Sequence, residues 1–402
     1  MTHHVGAPQI LSNLLVLDLT TIISGGTTTS ILADFGAEVI KVEHPIGGDP
    51  LRTWGPLKDG VSLWWKVLAR NKKSITLNLR EDHGQSVLKR LAERADVIVE
   101  NFRPGTLERW GLGYEALRLV NPKIVLTRIS GFGQTGPYRD RPGFGTVAEA
   151  MSGLVAISGH PEGPPLLPPL PLADEIAGLF GALATVMALR YRDAHGHGQV
   201  IDVSLYEPLF RLLIPDIPQY LMLGETPQRL GNRFGSAAPR NLYPTADGHW
   251  LALSATTQRM FERLAATMGR EDLISDPRFG DNAGRVANVE ALDQIVQEWT
   301  SSLSLEDLRR NLGDAGAVAG PVYDVPKIVA DPHYQAREDV VIVDDGDIGP
   351  IPMPGVVPKF SATPGRITHA GPRLGQHNKE IYEQFLGIGA NELKDLKQSG
   401  IV

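Results

Sequence analysis

Along the first half of the chain, short apolar runs alternate with segments whose apolar residues recur at helical spacing. LLVLDLT (14–20), EVIKVEHP (38–45), DVIVENF (96–102) and PKIVLTRISGFG (122–133) are rich in Val, Ile and Leu. Runs of this kind predict strands. TTTSILADFG (27–36) and the segment from His83 to Arg94 predict helices between them. GQVIDVSLYE (198–207) predicts one more strand, leading into a helix through Leu223. Strands that alternate with helices pair in parallel through crossover connections, which predicts a doubly wound α/β sheet.

The run from Ile176 to Leu189 holds almost no polar side chain and predicts a helix buried on most of its faces. The stretch before it, HPEGPPLLPPLPLA (160–173), is a loop, because proline removes donors and fixes the backbone. Asp174 stands between the two. It reads either as an N-cap, accepting backbone N–H groups at the positive end of the helix, or as a carboxylate nucleophile made reactive by loss of water. Position alone leaves both readings open.

After Gly224 the pattern changes. GETPQRLGNRFG is polar and Gly-rich, ADGHWLALSA (246–255) predicts a turn and strand, and helices are predicted near 257–268, 288–302 and 304–313. VAGPVYDV (318–325) closes this smaller α+β unit, and residues 340–372 are rich in Pro, Gly and short β segments. Two helices, near 378–386 and 390–398, end the chain. At 402 residues the chain is long for one core. The expected division is 1–224 as a large domain, 225–330 as a small α+β domain and 331–402 as a C-terminal segment.

Composition narrows the function classes. A net charge of −7 argues against nucleic-acid partners, which want a basic field. The absence of cysteine excludes disulfides, thiolate metal sites and a Cys nucleophile. MTHHVGAPQI lacks the blocks of a signal peptide, and His3 and His4 there are read as incidental, so no metal is expected. No run of 18 purely apolar residues predicts a membrane span. The expectation is a soluble cytoplasmic protein. Gly25 and Gly26 follow the first strand without the G-x-G-x-x-G spacing, so Glu43 at the end of the second strand does not make a dinucleotide site. P-loop, H-E-x-x-H and G-x-S-x-G sequences are also absent.

Several stretches follow one another in a specific order: GAEVIKVEHPIGGDPLR (36–52), ARNKKSITLNL (69–79), ADVIVENFRPGTLERWGLGY (95–114), SGFGQTGPYRDRPGF (130–144), AEAMSGLVAISG (148–159), the Asp174 segment and GHGQVIDVSLYE (196–207). Together they resemble the class III CoA-transferases, the family of formyl-CoA and carnitine CoA-transferases and the related acyl-CoA racemases. The resemblance is strong over 14–210 and looser beyond. It implies a Rossmann-like large domain with a parallel sheet, built from both chain ends, a smaller α+β domain between them, and an interlocked homodimer. It implies acyl-CoA and carboxylate substrates, with coenzyme A passing through as substrate and no tightly bound cofactor.

The resemblance matches Asp174 to the catalytic aspartate, which forms an anhydride with the donor acyl group and then an aspartyl-CoA thioester. Asn101, Phe102, Pro104, Gly105 and Arg109 match the loop that helps to hold CoA. Lys72, Lys73 and His44 are further candidates for CoA contact. In racemases of the family a His–Asp pair moves the α-proton. Phe144 and Gly145 stand at those positions here, which disfavours that chemistry and makes Phe144 a candidate substrate contact. Ile23 aligns with a Gln of formyl-CoA transferase. The family's mobile Gly-rich loop has no clear equal, and GNRFGSAAPRN (231–241) is the candidate, with Arg233 or Arg240 pairing with an acceptor carboxylate. The expected activity is CoA transfer from a donor such as succinyl-CoA to a small dicarboxylate or sulfur analogue. A racemase and a non-catalytic CoA-binding protein are the alternatives.

Overall fold

The apolar runs become the middle of one sheet. The structure, a computed structural model, describes residues 9–402, and His3 and His4 lie outside the described residues. In chain order the large-sheet strands and their flanking helices are β1 (Leu15–Asp18), α1 (Ser24–Asp34), β2 (Glu38–Glu43), β3 (Lys72–Thr76), α2 (Asp82–Ala92), β4 (Val97–Glu100), β5 (Val125–Ser130), α3 (Gly145–Met151), α4 (Leu172–His195) and β6 (Val200–Ser204). The six strands lie in the order β3-β2-β1-β4-β5-β6. Every pairing is parallel, with Val16 opposite both Val39 and Val97.

Both faces of the sheet are covered, which is why the strands read as continuous apolar runs. On one face Leu17, Ile40, Ile98 and Leu126 pack with Val87, Leu88 and Leu91 of α2 and with Ile381, Tyr382 and Leu393 from the end of the chain. On the other, Val16, Val39, Val97 and Val125 pack with Leu32 of α1 and Ala188 and Leu189 of α4. The strand that the pattern missed is β3. It opens with Lys72, Lys73 and Ser74, and Lys72 is buried inside the protein.

Helices α1 and α4 meet through small residues. A Cβ added at Gly178 would lie 2.7 Å from the Ser24 carbonyl oxygen, and Thr28 Oγ1 donates to the Gly178 carbonyl at 3.0 Å. The buried face of α4 is therefore mostly small, Ala173, Ala177, Gly178, Gly181, Ala182, Thr185 and Ala188, with Leu189 and Arg192 towards its end. The larger side chains, Leu179, Phe180, Leu183, Val186 and Met187, are exposed on the opposite face. This corrects the expectation of a helix buried on most faces, because close helix crossing selects small residues and sends the bulky ones outward. Leu172–His195 is long and apolar enough to cross a membrane by length and composition, but its small-residue face packs as a core helix does. The predicted helix through Leu223 is interrupted once, after Glu207–Leu212, because Pro215 lacks the N–H that continuity needs; helix resumes at Asp216 and runs without a gap to Leu223.

The described chain forms two units. The first runs through Leu154 and includes Leu167–Pro215 and Gln335–Val402; the second comprises Val155–Leu166 and Asp216–Tyr334. The second is built on an antiparallel sheet of β7 (Arg240–Pro244), β8 (Trp250–Ser254) and β9 (Ala319–Pro321) with β8 in the centre. Helices α5 (Gln258–Thr267), α6 (Val289–Thr300) and α7 (Leu305–Asp314) cover it, burying Phe261, Leu264, Leu292, Val296, Leu308 and Leu312 with Leu251 and Leu253 of β8.

Candidate active site

The loops after β1, β4 and β5 and the start of α4 enclose a cleft of about 650 Å³ within the first unit, and Asp174 lines it. Open parallel sheets bind ligands at the carboxyl ends of their strands, where these loops converge. Asp174 is the third residue of α4 and does not cap it. Pro171 stands at the cap position without a side-chain bond, and the Ala173 N–H instead donates to Glu149 Oε1 at 3.2 Å. Glu149, on α3, is buried and lines the same cleft.

With the capping role taken, the Asp174 carboxylate has no hydrogen-bond partner among the described residues. Burial first, then the negative charges of Glu149 and Glu175, push it up to about 6. Glu175 itself accepts from Thr27 Oγ1 at 3.0 Å, and burial raises its carboxyl too. Gly145, the first residue of α3, makes room for the group: a Cβ there would be 2.3 Å from Asp174 Oδ2. A desolvated, unpaired carboxylate that is still largely ionised near neutral pH is a competent nucleophile.

The wall after β1 is clamped by Asn101. Its amide accepts from the Thr21 N–H at 2.9 Å and donates to the Thr21 carbonyl at 2.8 Å. The next residue, Phe102, donates its N–H to Glu100 Oε2 at 2.7 Å. Burial pushes the Glu100 carboxyl up to about 7, opposed by Arg128, whose Nε donates to Oε1 at 2.6 Å. Phe102 stands edge-on to Trp110, with centroids 5.2 Å apart. A smaller slot of about 180 Å³ lies beyond, lined by Val42, His44, Arg80, Phe102 and Trp110 among others. Thr21 and Phe102 line both cavities, so the slot adjoins the larger cleft.

The sequence-predicted residues divide accordingly. Phe102, Asn101, Pro104 and Phe144 line the large cleft, and His44 lines the slot. Asn101 acts on the backbone of Thr21, with both its amide groups engaged there. Arg109 is exposed at the end of the short helix Thr106–Arg109, donates to Thr106 Oγ1 at 2.9 Å and lines neither cavity.

Lys72 is a correction. Only 1% exposed, it donates to Asp18 Oδ2 at 3.1 Å, the Gly26 carbonyl at 2.9 Å and Thr29 Oγ1 at 2.7 Å, so it cannot reach a phosphate. Lys73, on the edge strand β3, is paired with Glu38 at 2.6 Å and Glu380 at 2.7 Å and lines neither cavity. Arg233 and Arg240 belong to the second unit. Arg233 Nε is paired with the buried Asp293 at 2.7 Å, and Arg240 lines that unit's own cavity of about 490 Å³.

Sequence reasoning missed Glu149, Arg80, Trp64 and the arginine pair Arg139 and Arg141, and it named Gly145 only as a replaced racemase position. Arg141 stacks on Tyr138 at 3.7 Å, and both arginines line the large cleft. The available signal was the R-D-R sequence in the Gly- and Pro-rich exit from β5, since loops at strand ends carry function. Among the described residues, no group of three or more His, Asp or Glu side chains is arranged to hold a metal.

Comparison with known proteins finds relatives along nearly the whole chain. The model of CoA-transferase family III matches residues 11–378. The chain is 44% identical to succinyl-CoA–D-citramalate CoA-transferase of Chloroflexus aurantiacus, covering 98% of each chain. It is 41% identical to the beta subunit of succinyl-CoA–L-malate CoA-transferase from the same organism, again over 98% of each. Among solved structures, a CaiB/BaiF family protein from Brucella suis is 33% identical with a TM-score of 0.83, over 94% of this chain and 100% of that one.

Proposed function

The chain belongs to CoA-transferase family III, and from that premise we propose that it passes CoA from succinyl-CoA to a small hydroxy-dicarboxylate through the Asp174 carboxylate. The observation that carries this reading is that carboxylate itself: half-buried, unpartnered, and set in a cleft that adjoins a slot with aromatic and basic lining. The donors and acceptors named for the relatives, succinyl-CoA with D-citramalate or L-malate, supply the substrate class.

In the first step Asp174 attacks the thioester carbonyl, the C–S bond breaks and CoA leaves as thiolate, giving a mixed anhydride. The thiolate then attacks the aspartyl carbonyl, forming an aspartyl-CoA thioester and releasing the donor acid. The acceptor carboxylate attacks that thioester, CoA leaves again, and thiolate attack on the acceptor's carbonyl frees Asp174. Each intermediate is hydrolysable, so apolar walls such as Ile22, Ile23, Trp64 and Phe144 serve to exclude water. We assign the adenine to the slot beside Phe102, Trp110 and His44, and the phosphates to Arg80 there; Arg109, exposed outside the slot, is a phosphate contact only by the family resemblance. Arg139 and Arg141 are the cations for a substrate's distal carboxylate. Phe144 and Gly145 carry no titratable group, so the proton relay of a racemase has no residues there.

The first unit is thus the CoA-binding and catalytic one, and its strand order supports a Rossmann-like assignment. The exposed apolar face of α4 is proposed to be covered by a second copy in the interlocked dimer that the family resemblance implies. Sedimentation as a monomer at micromolar concentration overturns that assignment.

The activity test mixes the protein with succinyl-CoA and a panel of dicarboxylic acids. New acyl-CoA esters and free succinate are expected with hydroxy-dicarboxylates. No ester with any acid, or α-proton exchange without transfer, overturns the reading. The pH profile gives a separate check. Asp174 reacts as the anion, so transfer is full well above pH 6 and falls about tenfold per unit below it. Glu149→Gln keeps an acceptor for the Ala173 N–H but removes a negative charge beside Asp174, so the acid limb moves to lower pH. An unmoved limb shows that Asp174 is not the group titrating.

A further inference from the structure

Ile22 has φ of 65°, a left-handed conformation that a β-branched residue adopts only when its surroundings impose it. The surroundings come from the ends of three strands. After β1, Asp18 Oδ1 accepts from the Thr20 N–H at 3.0 Å and from Thr20 Oγ1 at 2.6 Å. After β4, Asn101 clamps both backbone groups of Thr21. After β2, the Asp49 carboxylate accepts from the Ile22 N–H at 3.1 and 3.3 Å and from the Leu51 N–H at 2.9 Å. Lys41 ties two of these anchors together, at 3.3 Å from Asp18 and 3.1 Å from Asp49. Asp18, Lys41 and Asp49 are all buried. The held segment Thr21–Ser24 lines the cleft that contains Asp174, and Ile22 packs on the cluster of Leu51, Trp65 and Ala69.

We propose that Asp49 is a positioning residue of the transfer reaction, holding Ile22 in its left-handed conformation so that Thr21–Ser24 form a fixed wall that orients the acyl group against Asp174. Asp49 touches no reacting atom. It acts through one backbone N–H, and the buried Lys41 fixes its carboxylate in turn. Strain kept in a wall of the cleft, where glycine would have been free of it, is the mark of a conformation retained for function. The inference rests on the reading of the Asp174 cleft as the acyl-transfer site.

The test is a double-mutant cycle between Asp49→Asn and Ile22→Gly, with transfer kinetics and hydrogen–deuterium exchange read together. In the otherwise native chain, Asp49→Asn should lower kcat by about tenfold while the KM for succinyl-CoA stays within about twofold. In the Ile22→Gly background, where glycine takes the left-handed conformation unaided, the same substitution should change kcat by less than about twofold. Equal losses in both backgrounds, or a loss confined to KM, overturn the proposal. Asp49→Glu keeps the charge beside Lys41 while displacing the carboxylate, and it should reproduce the kcat loss if Asp49→Asn fails to fold. If the native protein transfers no CoA, the reading of the cleft fails separately. Exchange then still decides the hold: faster exchange of the Thr20–Ser24 amides in Asp49→Asn supports it, and unchanged exchange overturns it.

Discussion

Asp174→Asn is expected to lower kcat/KM for CoA transfer by at least about four orders of magnitude, because it removes the proposed nucleophile and not merely a binding contact. Intact-mass spectrometry of the native protein mixed with succinyl-CoA should show a CoA adduct on Asp174, absent from the variant. A second readout moves the other way. Burial raises the Asp174 carboxyl above its ordinary value, so between its unfolded and folded pKa values the folded state prefers the protonated form. Ionisation therefore costs stability at neutral pH, and that cost fades as the pH falls. The neutral amide avoids it, so Asp174→Asn should have a higher Tm than the native protein at pH 7.5 and lose that advantage near pH 4. A variant that is inactive and less stable at pH 7.5 would mean that Asp174 holds the fold, and the nucleophile would have to be sought elsewhere. Retained transfer in a folded variant would reject the nucleophile directly.

Most of the large sheet was legible in the sequence because its central strands are covered on both faces and are built around Val, Ile and Leu, although they also bury Lys41, Glu43, Glu100 and Arg128. Strand β3 was not legible, for a physical reason. Its first residue, Lys72, is neutralised by Asp18 from a strand that lies two places away in the sheet, and no local pattern announces that pairing. The same burial explains why a lysine matched by motif cannot meet a phosphate. Helix α4 was legible in place but not in extent or orientation: the predicted Ile176–Leu189 falls short of Leu172–His195, and apart from Leu189 its small residues mark the packed face and its large ones the exposed face. Asp174 stood out by position, at the mouth of an apolar helix, but position could not separate cap from nucleophile. The resemblance tilted that choice, and in the structure the cap reading falls away because Glu149, from another helix, takes the Ala173 N–H. Arg233 and Arg240 were drawn in by their charge, whereas Arg139 and Arg141 line the cleft from a loop whose glycines and prolines drew the attention instead.

Gly145→Ala is expected to lower kcat by about a hundredfold while leaving the fold intact, since displacing a reacting group by about 1 Å costs that much. The added Cβ would lie 2.3 Å from Asp174 Oδ2, and the atom it meets is the end of a short side chain. The carboxylate can swing away, so the conflict is resolved by moving the nucleophile and not the backbone. Gly145 begins α3, where alanine is a better helix former by up to about 1 kcal/mol, so the Tm should hold or rise. Gly178→Ala is the control. Its Cβ would meet the Ser24 carbonyl oxygen at 2.7 Å, a backbone atom at the crossing of α1 and α4, and that conflict should lower the Tm, because a packed backbone yields less readily than a carboxylate. The KM for succinyl-CoA should change little in Gly145→Ala, because Gly145 does not line the slot assigned to the nucleotide. A large KM effect with unchanged kcat would place the reacting thioester away from Asp174. An unchanged kcat and KM would show that the carboxylate acts from a rotamer already clear of Gly145, and the geometry of attack would have to be redrawn from the opposite side of the cleft.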